Sequence, residues 1–209
     1  MRLRLVVPAD VEKPTGGNIY DLALANALRA DGDEVEMVRC RAHELRVVLH
    51  RAWAGHTLVD GLLACPQPQA VVGSRAAVLV HMPWGLQTGL SRDRTARVDR
   101  LERRALHAAA RVVTTSDWTA RYVERRHQLA RVAVAPPGVD PAPVSAGSDP
   151  PLLVHLASLL PHKDQLGVVA ALARLTDLPW RARLAGPTDR DPTYTAAVRA
   201  AIAAAGLDD

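Results

Sequence analysis

The sequence predicts an α/β fold with parallel sheets, one full domain followed by the first part of a second. Three observations carry this. Short apolar runs alternate with amphipathic segments along the chain. Several of the runs are apolar almost without interruption, as in "AAVLVHMP" (76–83), which suits strands covered on both faces. The stretch "PPGVDPAPVSAGSDPP" (136–151) holds six prolines and two glycines, after which the alternation restarts.

The elements follow in order. "LRLVVP" (3–8) is a strand, and "GGNIYDLALANALRADG" (16–32) is a helix with Gly32 just past its end, where a left-handed cap is wanted. "DEVEMVRC" (33–40) is a second strand, with Val35, Met37 and Arg39 on one face, so the chain begins as a parallel βαβ unit. A helix near 42–53, a strand over 56–63, a turn around "CPQPQ" and the strand over 76–83 continue the pattern. In 92–109, Val98, Leu101, Ala105 and Ala108 form one apolar stripe, and arginines fill the rest of the helix. A strand over 111–116 leads to a helix over 116–127 capped by Ser116 or Asp117, then to a strand at 132–135. Beyond the connector come a strand (152–160), a helix (163–175), a strand (180–186) and a helix (191–206) with Pro192 in its first turn.

The expected domains are 1–143 and 144–209. Two strands and two helices in the second make too small a core, and a two-stranded parallel sheet leaves an open edge. A fragment, or a domain completed by a companion segment, is the expectation.

Composition narrows the function. The 209 residues are 48% hydrophobic with mean hydropathy near zero, as in a soluble globular protein. No apolar run reaches the roughly 18 to 20 residues of a membrane span, and the apolar part of the amino terminus is too short for a secretion signal. A cytoplasmic location is expected. Cys40 and Cys65 lack metal-binding spacing and read as core residues. The net charge of +4 suggests nucleic acid, yet aromatic residues make up only 3% and Phe is absent, so base-stacking platforms are scarce. The 24 arginines against two lysines, Lys13 and Lys163, point to coding-DNA composition rather than to a ligand. Arg92, Arg94, Arg97, Arg100, Arg103 and Arg104 on one helix form either a solvated face or a surface for anionic lipid headgroups at the inner membrane face.

In open α/β sheets ligands sit beyond the carboxyl ends of the strands, which selects four loops. "PADVEKPTGGNIY" brings Gly16 and Gly17 to a helix start, either to let backbone amides approach a phosphate or sugar or simply to make a tight turn. The spacing is not that of a dinucleotide fingerprint. "LVHMPWG" places His81 at the end of the most apolar strand, as a hydrogen-bonding or proton-transfer group or as a structural histidine. "ASLLPHKDQ" puts Lys163 at the start of a helix, where an ammonium beside free amides could hold a diphosphate; a surface lysine is the alternative. "LAGPTDRDPTY" offers Gly186 after a strand, with Asp189, Arg190 and Asp191 beyond, within reach of a nucleotide or merely solvated. No acidic cluster in the sequence has the look of a metal site.

Together, "PTGGNIYDLALANALRADGDEVEMV", "VHMP", "ERRALHAAARVVTTSDWTARYV" with "VAVAPPGVD", and "ASLLPHKDQLGVVAALARL" resemble family 4 of the retaining glycosyltransferases of GT-B architecture. The resemblance spans essentially the whole chain. It implies a GT-B-like α/β fold, with an N-terminal Rossmann-like domain on the acceptor side and the first part of a second Rossmann-like domain that binds the nucleotide sugar. It also implies a cleft between the two and the "PPGVD" stretch as the exit into the hinge. By position, Gly16 and Gly17 match the family's glycine-rich loop near the donor phosphates and acceptor, His81 a histidine on the donor sugar, and Lys163 the diphosphate lysine. The family's usual "GR" before that lysine is here Ala157 and Ser158, so Ser158 stands where a phosphate-binding arginine is customary. The family's paired glutamates would fall after residue 209, so activity of this chain alone is not expected. The implied reaction transfers a sugar from a nucleoside-diphosphate sugar to a carbohydrate or lipid-linked acceptor with retention, without cofactor or metal. A noncatalytic or split GT-B binding module, or a GT-B-like nucleotide-sugar epimerase, are the alternatives.

Overall fold

In the computed structural model, which describes residues 1–87 and 89–208, the chain forms two compact units, Met1–Val139 and the segment from Asp140 onward. Each is described by itself.

The first unit is a six-stranded parallel sheet. Its strands are β1 (Arg2–Pro8), β2 (Glu34–Cys40), β3 (His56–Asp60), β4 (Ala77–Val80), β5 (Arg111–Thr114) and β6 (Val132–Val134), in the order β2-β1-β3-β4-β5-β6. The register pairs Leu5 with Leu58 and Val59 with Val78. Because side chains alternate across a strand, Leu3, Leu5 and Val7 of β1 face one side and Arg4 and Val6 the other. Helix α1 (Gly16–Ala30) covers the first side with Leu22, Ala25 and Leu28. Helices α2 (Leu45–His50), α3 (Gly61–Ala64), α4 (Pro68–Val71), α5 (Arg92–Ala108) and α6 (Asp117–His127) bring Leu45, Leu63, Val71, Leu106 and Val123 to the core on the other.

Arg4 is a charged residue inside that second core, only 2% exposed. Its guanidinium donates to Glu36 and to the carbonyls of Val48 and Arg51, and lies over the Trp53 ring at 4.5 Å. These contacts replace the water it lost.

Several elements are shorter than their apolar runs suggest. The strand expected over 56–63 stops at Asp60, whose carboxylate accepts from the Leu62 amide at 2.6 Å and so caps a helical turn. The helix expected near 42–53 is a 3₁₀ turn followed by only six α-helical residues. Arg39 lies on the same side of β2 as Val35 and Met37 but is exposed there and pairs with Glu12. Cys40 and Cys65 are buried free thiols. Gly32 has φ 87°, the left-handed cap expected after α1.

In the second unit β7 (Leu152–Leu156) pairs in parallel with β8 (Arg181–Ala185), and α7 (Gln165–Leu172) and α8 (Pro192–Ala204) pack around Leu159, Val169 and Val198. Leu153, Val154 and Leu156 remain 46%, 60% and 80% exposed, so this small sheet is poorly covered. Gly186 follows β8 with φ 153°, and a Cβ there would lie 2.0 Å from the Ala157 carbonyl oxygen. Only glycine fits that approach. Among the described residues no helix is long and apolar enough to cross a membrane.

Candidate functional site

The sheet order reverses direction between β1 and β3, and in open α/β sheets the crevice at such a point is where ligands bind. The polar residues of the first unit converge there. After β1, the loop to α1 is folded back by Asn18, whose side-chain amide donates to the carbonyls of Asp10 and Lys13. Thr15 caps the helix by accepting from the Asn18 amide. That leaves Gly16 and Gly17 as the first helical residues.

His81 follows β4, and its ring lies against Gly17. A Cβ on Gly17 would stand 3.0 Å from His81 Cδ2, whereas one on Gly16 would meet nothing within 4 Å. The structure therefore separates the two glycines: Gly17 makes room for His81, and Gly16 borders open space. Tyr20 meets the imidazole edge-on at 5.2 Å, and its hydroxyl donates to the Ala135 carbonyl at the start of the "PPGVD" stretch. Thr115, just past β5, donates to the His81 carbonyl.

Two aspartates complete the site, neither singled out by the sequence. His81 Nε2 is 3.0 Å from Asp21 Oδ1 and 3.9 Å from Asp60 Oδ2. The Asp21 and Asp60 side chains are 0% and 1% exposed and that of His81 15%, so the imidazole alone reaches the surface. Burial and the nearby Asp21 charge push the Asp60 carboxyl up to about 7. Burial alone lowers the His81 pKa, but the hydrogen bond to Asp21 and the charges of Asp21 and Asp60 outweigh it and the net shift is upward. Burial, and less so Asp21, raise the Tyr20 hydroxyl. Both aspartates carry local signals: Asp21 lies four residues after Gly17, on the same helix face, and Asp60 ends an apolar strand.

A second buried pair braces the loop that leaves His81. Glu102 of α5, fully buried, accepts from the Trp84 amide at 2.7 Å and pairs with His127 at 3.0 Å. Arg126 takes the adjacent Asp99. Each of these clusters, Asp21–Asp60–His81 and Asp99–Glu102–His127, gathers three metal-ligand types within 4.8 Å, an assembly that the sequence did not reveal.

In the second unit Ser158 and Gly186 lie together beyond β7 and β8, and the Ser158 carbonyl accepts from the buried Gln165 amide at 3.0 Å. Lys163 is exposed and belongs to a 3₁₀ turn, not to the helix expected from 163. Helix α7 begins at Gln165, and Asp164 in the left-handed conformation (φ 53°) caps it by accepting from the Gly167 amide. The Leu166 amide donates to the Tyr194 hydroxyl. Two of the amides expected beside Lys163 are thus already engaged. Burial and the Lys163 charge lower the His162 pKa.

Comparison with known proteins agrees with this architecture. Residues 54–143 match the model of Glycosyltransferase Family 4, a segment running from just before β3, through His81, to the connector. Comparison with curated proteins finds no match. Among solved structures, HepE of Anabaena in complex with UDP superposes with a TM-score of 0.54 at 15% identity, covering 100% of this chain and 67% of that one. The six-stranded parallel sheet flanked by helices matches the Rossmann-like domain of that fold. Residues 54–143 are thus similar to Glycosyltransferase Family 4, and the chain has a GT-B-like α/β fold.

Proposed function

We propose that the chain transfers a sugar from a nucleoside-diphosphate sugar to a carbohydrate or lipid-linked acceptor with retention of configuration. The acceptor side is the domain 1–143, and 144–209 supplies the hinge and the nucleotide-sugar side. The observation that carries this is the packing of His81, a residue of the segment that matches the family model, on Gly17 at the sheet's switch point. The UDP in the Anabaena protein supports a nucleoside diphosphate as the leaving group here.

When the bond from the anomeric carbon to the diphosphate oxygen breaks, the electron pair stays on the diphosphate. Negative charge grows there, and a nearby ammonium or N–H donor stabilises it. Lys163 is assigned that role. It falls to the ammonium itself, since the Leu166 and Gly167 amides are engaged. Gly186 and Ser158 border the donor, and Gly16 leaves open space for acceptor or phosphate. No metal or cofactor enters the proposed reaction.

Calorimetry with UDP, GDP and ADP, and release of nucleoside diphosphate from the matching sugars, test the reading. Lys163→Ala is expected to cut release by about 10²- to 10³-fold, the loss typical of one electrostatic donor. Unchanged release in that variant defeats the assignment. Binding without release, restored by a downstream polypeptide, identifies a split or noncatalytic module. The exposed Leu153, Val154 and Leu156 favour such a companion segment on the second unit.

The cytoplasmic reading includes peripheral contact with a membrane. Helices α5 and α6 carry nine arginines against five acids, a net +4 equal to that of the whole chain. Trp118, 56% exposed, stacks on Tyr122 beside Arg121 and Arg125. Flotation on anionic vesicles, lost at high salt, is the expected result.

A further inference from the structure

The cluster behind His81 has more buried oxygen than its hydrogen bonds use. Asp21 Oδ1 meets His81 and Asp60 Oδ1 accepts from the Leu62 amide. Asp21 Oδ2 and Asp60 Oδ2 are both fully buried and have no hydrogen-bond partner among the described residues; Asp60 Oδ2 has only the 3.9 Å approach of His81 Nε2. Two carboxylates enclosed this closely cannot both stay charged at low cost. A single proton between the two free oxygens satisfies both atoms with one O–H···O bond, and with a protonated His81 the cluster is neutral.

We propose that Asp21 and Asp60 share one proton and act together as positioning residues for His81, holding its ring by Nε2 and keeping it an imidazolium. The inference rests on the placement of His81 in the transfer site argued above.

The consequence is directional. With Nε2–H donated to Asp21, Nδ1–H is the donor left for a ligand oxygen, from a sugar hydroxyl or a phosphate. Loss of a proton from the cluster converts that nitrogen into an acceptor. Among the described residues, the groups facing the cluster are few. Helix α1 contributes Asp21 and Tyr20, and the end of β3 contributes Asp60. Cys65, just past α3, has its thiol pushed well up by burial and by Glu102 and Asp60. Thr115 after β5 touches only the His81 carbonyl. Burial and the Asp21 charge raise Asp60, in keeping with a retained proton.

Nuclear magnetic resonance of the His81 ring nitrogens in the full chain, from about pH 5 to about pH 9, reads this without turnover. In the wild type, His81 is expected to titrate in two linked steps with its midpoint above the ordinary histidine value. In Asp60→Asn, whose side-chain amide can donate permanently to Asp21 Oδ2, a single step is expected. In Asp21→Asn the midpoint falls by about one unit or more as the paired charge is lost. The same midpoint and shape in all three overturns the proposal. So does a tightly held cation, seen as Mn²⁺ broadening or Zn²⁺ shifting the His81 signals and lost in Asp60→Asn, because a cation then occupies the proton's place. Donor KM should rise about tenfold per pH unit above the His81 midpoint in the wild type, with that rise moved to lower pH in Asp21→Asn; a KM that ignores the midpoint also overturns it. A wild type with the linked titration but no donor binding at any pH removes the transferase reading and leaves the shared proton standing.

Discussion

Alanine at Gly17 and at Gly16 should have opposite effects, although the residues are adjacent and both open α1. At Gly17 the new methyl would lie 3.0 Å from His81 Cδ2, 3.3 Å from Cγ and 3.5 Å from Nε2. Carbon atoms rest at about 3.5 to 4.0 Å, so the ring must retreat by about half an ångström. It is not free to do so: Asp21 holds Nε2 at 3.0 Å, Tyr20 packs against the ring, and Thr115 holds the carbonyl. Forced overpacking costs about 1 to 3 kcal/mol, and replacing a helical glycine recovers about 0.5 to 1 kcal/mol from the unfolded chain. The net expectation is a loss of about 1 kcal/mol. Gly16→Ala meets nothing and should gain up to about 1 kcal/mol, so the two variants differ by about 2 kcal/mol. Urea unfolding of the pair, followed by circular dichroism, measures the difference. Equal midpoints, or a more stable Gly17→Ala, would falsify the packing argument.

Three further outcomes are expected. Because the folded chain holds the Asp60 proton up to about pH 7 and the unfolded chain releases it near 3.8, stability should fall as pH rises through that window, by at most about 1.4 kcal/mol per pH unit. The raised His81 has the same sign, its contribution being lost as pH rises through the folded value. Asp60→Asn should flatten the profile of urea midpoints, and a wild type that gains stability over this range contradicts the cluster. Glu102→Ala strands the Trp84 amide and His127, both now bonded to one buried carboxylate, and should cost about 3 to 5 kcal/mol in the same assay, with Glu102→Gln costing less. Gly186→Ala drives a methyl to 2.0 Å from the Ala157 oxygen at a backbone angle that disfavours side chains, and should destabilise the second unit by about 3 kcal/mol, seen as earlier hydrogen exchange in β7 and β8.

Strands β1, β4 and β5, helices α5 and α6 and the break after β6 were legible because their signals are local: apolar runs, an apolar stripe, a serine cap, paired prolines. Where a local signal met a competing one, reading by period ran long. The apolar run "GLL" after Asp60 continues the strand pattern, but the Asp60 side chain caps Leu62 and turns the same residues into a helix. The helix expected from Lys163 was misplaced in a similar way, since Asp164 takes a left-handed conformation and starts α7 two residues later than the apolar pattern suggests.

By itself the sequence determined the α/β class and the parallel strands, and it set Gly16, Gly17 and His81 in loops beyond strand ends. Only the tertiary structure decided that Asp21 and Asp60 stand behind His81, because the partners lie 60 and 21 residues away along the chain. What joins them is the parallel register that carries the ends of β1, β3 and β4 to one edge of the sheet. No periodicity in the sequence encodes that meeting, since the free energy that enforces it comes from burying the two faces of the sheet and not from the aspartates themselves.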